Sequence, residues 1–120
     1  FLALLGAQPQ AAEAAREYVT RSDGTKSFAD CMILIRTCHE AGLEDLALAT
    51  IQKYTDHDPD NAAAWLELAA IHAAAKRQTE SFDALKKALV DGDPGIKRQA
   101  RNDKRFDPVR DTATFKRLTQ

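Results

Sequence analysis

The chain has 120 residues, 44% of them hydrophobic and 29% charged, with a formal net charge of −1. Length and composition predict one globular domain with a core of its own, and the absence of any run of 18 apolar residues excludes a membrane span. The near-zero net charge hides an imbalance: residues 1–93 hold 9 Lys or Arg against 15 Asp or Glu, and residues 94–120 hold 8 against 3.

The chain begins at "FLALLGAQPQ" without methionine, and it is expected to be a fragment of a longer protein with "FLALL" the stub of a helix. Gly6 should mark a turn and Ala11 the small position of a second helix, with Tyr18 farther along it and Asp23–Gly24 at its close. The next segment, 28–61, carries two helical patterns separated by "AGLED", where Gly42 suits a C-terminal cap and Asp45 an opening turn. Cys31 and Cys38 fall two turns apart in the first of these helices, about 10.5 Å between Cα atoms at 1.5 Å per residue, too far for a disulfide. They read as small buried residues, which favours a reducing, cytoplasmic setting over a periplasmic one.

Residues 62–94 repeat the arrangement. The alanine-rich stretch "DNAAAWLELAAIHAAA" is strongly helix-forming, with Trp65, Leu68, Ala69 and His72 on one face. Trp65 is expected to be buried between adjacent hairpins. The break here is "KRQTE", with Thr79 expected as the N-cap. Residues 31–59 align with 65–93 without a gap at an offset of 34, placing Cys31 on Trp65, Leu34 on Leu68, Cys38 on His72, Ala47 on Ser81 and Ile51 on Leu85. A partial third copy occupies 1–24, and 95–120 closes the chain as a capping helix and tail, in which Phe106, Val109, Phe115 and Leu118 should cover the apolar end of the last repeat.

On these residues the chain resembles the tetratricopeptide repeat family, whose 34-residue unit is a helix–turn–helix with a Trp, Leu, Gly and Tyr face on its first helix. Trp65, Leu68, Ala69, Leu34, Gly42, Ala47, Ala88 and Pro59 match that pattern. Cys31 stands where the large ring is usual, Cys38 and His72 replace the tyrosine, Ser81 replaces an alanine and Pro94 comes one residue late. The tail, with Asp103, Phe106, Val109–Arg110, Phe115 and Leu118, resembles an ending common in bacterial members. The resemblance implies an all-α, helical-hairpin solenoid of about three hairpins with a C-terminal capping segment. It also implies a concave groove lined by first helices that binds peptides or partner proteins. Carried over by alignment, its positions are Ala29, Met32, Ile33, Arg36, His39 and Glu40, then Ala63, Leu66, Glu67, Ala70, Ala73 and Ala74. Met32, Ile33, Arg36, His39, Leu66, Ala70 and Ala73 are the expected binding residues. The Lys and Asn clamp that family members use on a peptide carboxylate is missing.

No motif for catalysis or metal binding is present: the chain lacks GxSxG, a Walker loop, HExxH and CxxC. His39, His57 and His72 are scattered, and "DHDPDN" lacks the glycine and closing glutamate of a calcium loop. Arg98, Arg101, Lys104, Arg105, Lys116 and Arg117 have no free aromatic platform beside them, so nucleic acid is not expected. The reading is a protein-interaction module with no enzymatic activity and no cofactor, binding a peptide or protein segment. The alternatives are a structural spacer or self-association unit, and an accessory domain of a larger enzyme.

Overall fold

A computed structural model describes the backbone at residues 4–23, 25–90 and 93–120, and side chains at the same positions from residue 13 onward. The protein is all-helical: helices and turns are the only regular elements among the described residues. The helices are α1 (Leu4–Arg21), α2 (Phe28–Glu40), α3 (Glu44–His57), α4 (Ala62–Ala74), α5 (Gln78–Ala88), α6 (Pro94–Asn102), a 3₁₀ helix (Lys104–Val109) and α7 (Ala113–Leu118). None among the described residues is long and apolar enough to cross a membrane. Contacts divide the chain into two compact units, Phe1–His57 and Asp58–Gln120.

In the first unit α2 and α3 form a hairpin, and α1 packs on α2. Ser27 starts α2 by accepting the Asp30 N–H at 3.1 Å, satisfying one of the amides that a helix start leaves unpaired. Cys31, Leu34, Ile35 and Cys38 form its buried stripe, facing Ala47, Ile51 and Tyr54 of α3 in the hairpin core. Phe28 closes the open end against Tyr54, with ring centroids 5.6 Å apart. Helix α1 runs unbroken through Gly6, so the turn expected there is absent. One glycine costs only about 1 kcal/mol in a helix interior, and the alanines that follow favour continuation. Phe1–Ala3 and Gly24, which the expected third copy includes, lie outside the described residues.

In the second unit the hairpin recurs. Helices α2 and α4 are each 13 residues long, and α4 starts and ends 34 positions after α2. The caps recur at the same offset: Asn61 accepts the Ala64 N–H at 3.1 Å as Ser27 accepts that of Asp30. At the far end the Leu43 N–H reaches the Cys38 carbonyl at 2.8 Å, and the Arg77 N–H reaches that of His72 at 2.9 Å. Both belong to turns with one left-handed residue, Gly42 at φ 75° and Lys76 at φ 64°. This turn starts α5 at Gln78, so Thr79 lies inside the helix, and Arg77 holds the N-cap position with no side-chain cap.

Helix α4 is buried at every position from Ala64 to Ala73 except Trp65. It packs with α5, α6 and the 3₁₀ helix, as a helix apolar all round requires. Ser81, wholly buried on α5, donates to the Ala69 carbonyl at 2.8 Å. Trp65 is half-buried rather than enclosed. Its indole N–H donates to the Pro59 carbonyl at 2.7 Å, and Lys87 Nζ stands 4.5 Å from the ring centroid. A polar N–H that must meet the loop below keeps one edge of this ring near the surface.

The closing segment wraps on this hairpin, with the 3₁₀ helix on α4 and α7 on α5. Phe106, Val109 and Phe115 are buried, with the two rings 5.3 Å apart between centroids, while Leu118 is half-buried.

Candidate functional site

The expected binding positions separate into two sets. Those on α2 are open. Ile33 is 50% exposed, Arg36 and Glu40 are exposed, and Met32 is half-buried. They occupy the part of α2 turned away from its buried stripe. His39 ends the row: its Nδ1 lies 2.8 Å from Glu44 Oε2 across the turn, so it is held to its own hairpin. Tyr18 of α1, 52% exposed, shares with Ile33 a cleft of about 370 Å³ whose rim carries Arg21, Lys26, Asp23 and Asp30. Hydrogen bonds from Thr25 hold the Asp23 carboxyl below its ordinary range, so this rim carries charges of both signs. A wider concavity of about 660 Å³ borders Glu13, Arg16 and Thr20, and its lining among the described residues comes from α1.

Most of the positions on α4 are covered, although Ala63 is half-buried and Ala74 exposed. Leu66 is 6% exposed, and Ala70 and Ala73 are wholly buried. Glu67, from the same row, is held by the closing segment. Arg105 Nη1 donates to Glu67 Oε2 at 2.6 Å and Nη2 donates to Oε1 at 2.9 Å. The same guanidinium donates to Asp103 Oδ2 at 2.7 Å, and Asp103 caps the 3₁₀ helix through the Arg105 N–H. Leu66, Ala70 and Ala73 therefore do not line an open groove. The small residues that leave room for a ligand leave it equally for the chain's own tail.

The electrostatics of this clamp follow from its geometry. Burial opposes the charge on Arg105, but its hydrogen bonds to Glu67 and Asp103 outweigh this and hold the guanidinium protonated. Burial likewise pulls the Asp103 carboxyl up, and the bonds and charge of Arg105, with Arg110 behind, bring it below its ordinary range. Three of the basic residues of the tail are thus structural. Arg105 serves the clamp, and Arg101 donates to the Thr119 carbonyl. Arg110 also donates to the Arg101 and Asp103 carbonyls and lies over the Phe115 ring at 5.7 Å.

Two histidine nitrogens, His39 Nε2 and His72 Nδ1, are buried without a hydrogen-bond partner. Burial pushes the His72 imidazole below its ordinary value, the charge of Arg77 adds to this, and Glu80 opposes it. Burial raises the Cys38 thiol, with Glu44 and Asp45 adding to the effect, so this sulfur is poorly suited to act as a nucleophile. Cys31 and Cys38 are both buried and are not joined to each other in a disulfide. No group of three His, Cys, Asp or Glu among the described residues could hold a metal ion.

The Glu67–Arg105 clamp escaped sequence reasoning. The one signal for it is a lone acidic residue in "LELAA", a stretch otherwise apolar. No protein-family model, curated protein or solved structure matches the chain.

Proposed function

We propose that the chain is a helical-hairpin repeat protein of the tetratricopeptide type, stacked as a solenoid, and that it binds a segment of a partner protein. The observation that carries this reading is the recurrence, at an offset of 34, of cap, helix length and left-handed turn in two hairpins. Such recurrence is the mark of units that exist to extend a surface. Recognition is concentrated on α2. Ile33 and Met32 offer apolar area, and the exposed Arg36 guanidinium can orient a ligand by pairing with a carboxylate. A mainly apolar segment with one acidic group, in helical form, suits that row.

Helix α4 favours a second role for its own hairpin. Most of its row is covered by the chain itself, which favours a structural role for this hairpin.

The test is capture of partner proteins by the immobilised chain and by an Ile33→Glu, Arg36→Glu variant. Both positions are solvent-facing, so helicity and melting should stay unchanged while captured proteins are lost. An unchanged set of captured proteins would exclude this row as the site. Leu66 is unsuitable for the experiment, because a buried Glu there would unfold the hairpin.

A further inference from the structure

The closing segment has two properties that a simple covering does not need. It is tied to itself. Arg101 at its start donates to the Thr119 carbonyl at its end, Arg110 donates to the Arg101 and Asp103 carbonyls, and Phe106 stacks beside Phe115. It also meets α4 through one directed side-chain contact, the two-pronged donation of Arg105 to Glu67. That carboxylate side chain is 9% exposed, whereas the guanidinium side chain is 33% exposed. The buried partner therefore sits on the receiving helix and the more accessible one on the incoming segment. This is the arrangement of a receptor and a ligand: a recessed anion among small residues, and an arginine on a preformed loop with an aromatic beside it.

We propose that residues 101–119 are a preformed clip docked on α4 as a ligand docks, with Arg105 on Glu67 as the recognition contact. The face of α4 is then a site for an Arg–Phe segment, filled in this chain by its own tail and able to accept the same tail from a second copy. This deepens the proposed function, on which it rests for the reading of α4 as a ligand-facing helix. Within one chain the clip competes at an effective concentration on the order of millimolar, so an outside segment is excluded while the clip is intact.

The experiment uses the full chain carrying Arg105→Ala and Phe106→Ala, which weakens the clip and leaves Glu67 in place. The probe is a labelled synthetic peptide of residues 100–120, followed by fluorescence anisotropy. The double variant should bind this peptide at least tenfold more tightly than the unaltered chain does. It should also bind it at least tenfold more tightly than the same peptide with Arg105→Ala. A folded double variant that binds neither peptide, or both alike, overturns the proposal. Should the double variant unfold, hydrogen exchange on the unaltered chain decides. Amides of residues 104–119 exchanging together at least tenfold faster than those of α4 and α5 support a detachable clip, and exchange at the same rate overturns it. The Ile33 and Arg36 variant touches only α2, so the binding row and the clip fail or stand separately.

Discussion

Replacing Glu67 with alanine removes a carboxylate side chain that is 9% exposed and receives two short bonds, at 2.6 and 2.9 Å, from Arg105. Breaking a buried ion pair from one side costs about 3–5 kcal/mol when the remaining charge is stranded. Arg105 is not stranded: one third of its side chain meets solvent, and Asp103 still accepts from it at 2.7 Å. The expected loss for Glu67→Ala is therefore about 2 kcal/mol, closer to the roughly 1.5–3 kcal/mol of hydrogen bonds to a charged group. Arg105→Ala should cost more, about 3 kcal/mol, because it leaves the more deeply buried charge alone. The double replacement should cost clearly less than the sum of the two. Urea unfolding followed through Trp65, the single tryptophan and a residue of α4, reports on this unit. With a slope of about 1–3 kcal/mol per molar, the Glu67→Ala midpoint should fall by roughly 1 M. Single losses that add to within about 0.5 kcal/mol would show the two residues to be energetically independent, and the clamp would not hold the tail.

The two turns make opposite predictions from one geometry. Gly42→Ala meets nothing within 4 Å, so its cost is purely backbone and should be about 1 kcal/mol. Lys76→Gly should raise stability by about 0.5–1 kcal/mol, relief of the left-handed strain exceeding the entropy that glycine adds to the unfolded chain; thermal melting of each variant checks both. His72 has a lowered folded-state value, so the unfolded chain binds its proton more readily. Stability from this residue is fully present above about 6.5 and is lost as pH falls from there towards the lowered folded value. Urea midpoints measured across that window should drop for the parent and drop less for His72→Phe. Phe106→Ala removes a wholly buried ring of the closing segment and should cost about 3–5 kcal/mol by chemical denaturation; a loss below about 1 kcal/mol would mean the ring covers nothing that matters.

Local rules were legible without coordinates. The all-helical class and the left-handed turn at Gly42 rest on interactions between residues within six positions of each other. Short-range chemistry of that kind is written along the chain, and so is the burial of Leu34, Ile35, Leu68 and Ala69 at helical spacing. Where one strong local residue was absent, the pattern misled. Lys76 takes the left-handed turn without being glycine, which shifted the expected N-cap to Thr79. Gly6 suggests a break by itself, although its neighbours sustain the helix.

Tertiary structure alone decided which apolar and small residues remain available. The aligned rows on α2 and α4 are equivalent by position, yet Ile33 is half exposed and its counterpart Glu67 is buried. The difference comes from contacts between residues far apart in the chain. The closing segment returns 38 positions to place Arg105 on Glu67, and its 3₁₀ helix lies on α4. No periodicity within either helix encodes that return, because a helix repeat specifies a face and not what covers it. Basic residues near the end of the chain look alike in sequence for the same reason. Only the fold separates Arg105, bound between two carboxylates, from Arg98, which is exposed.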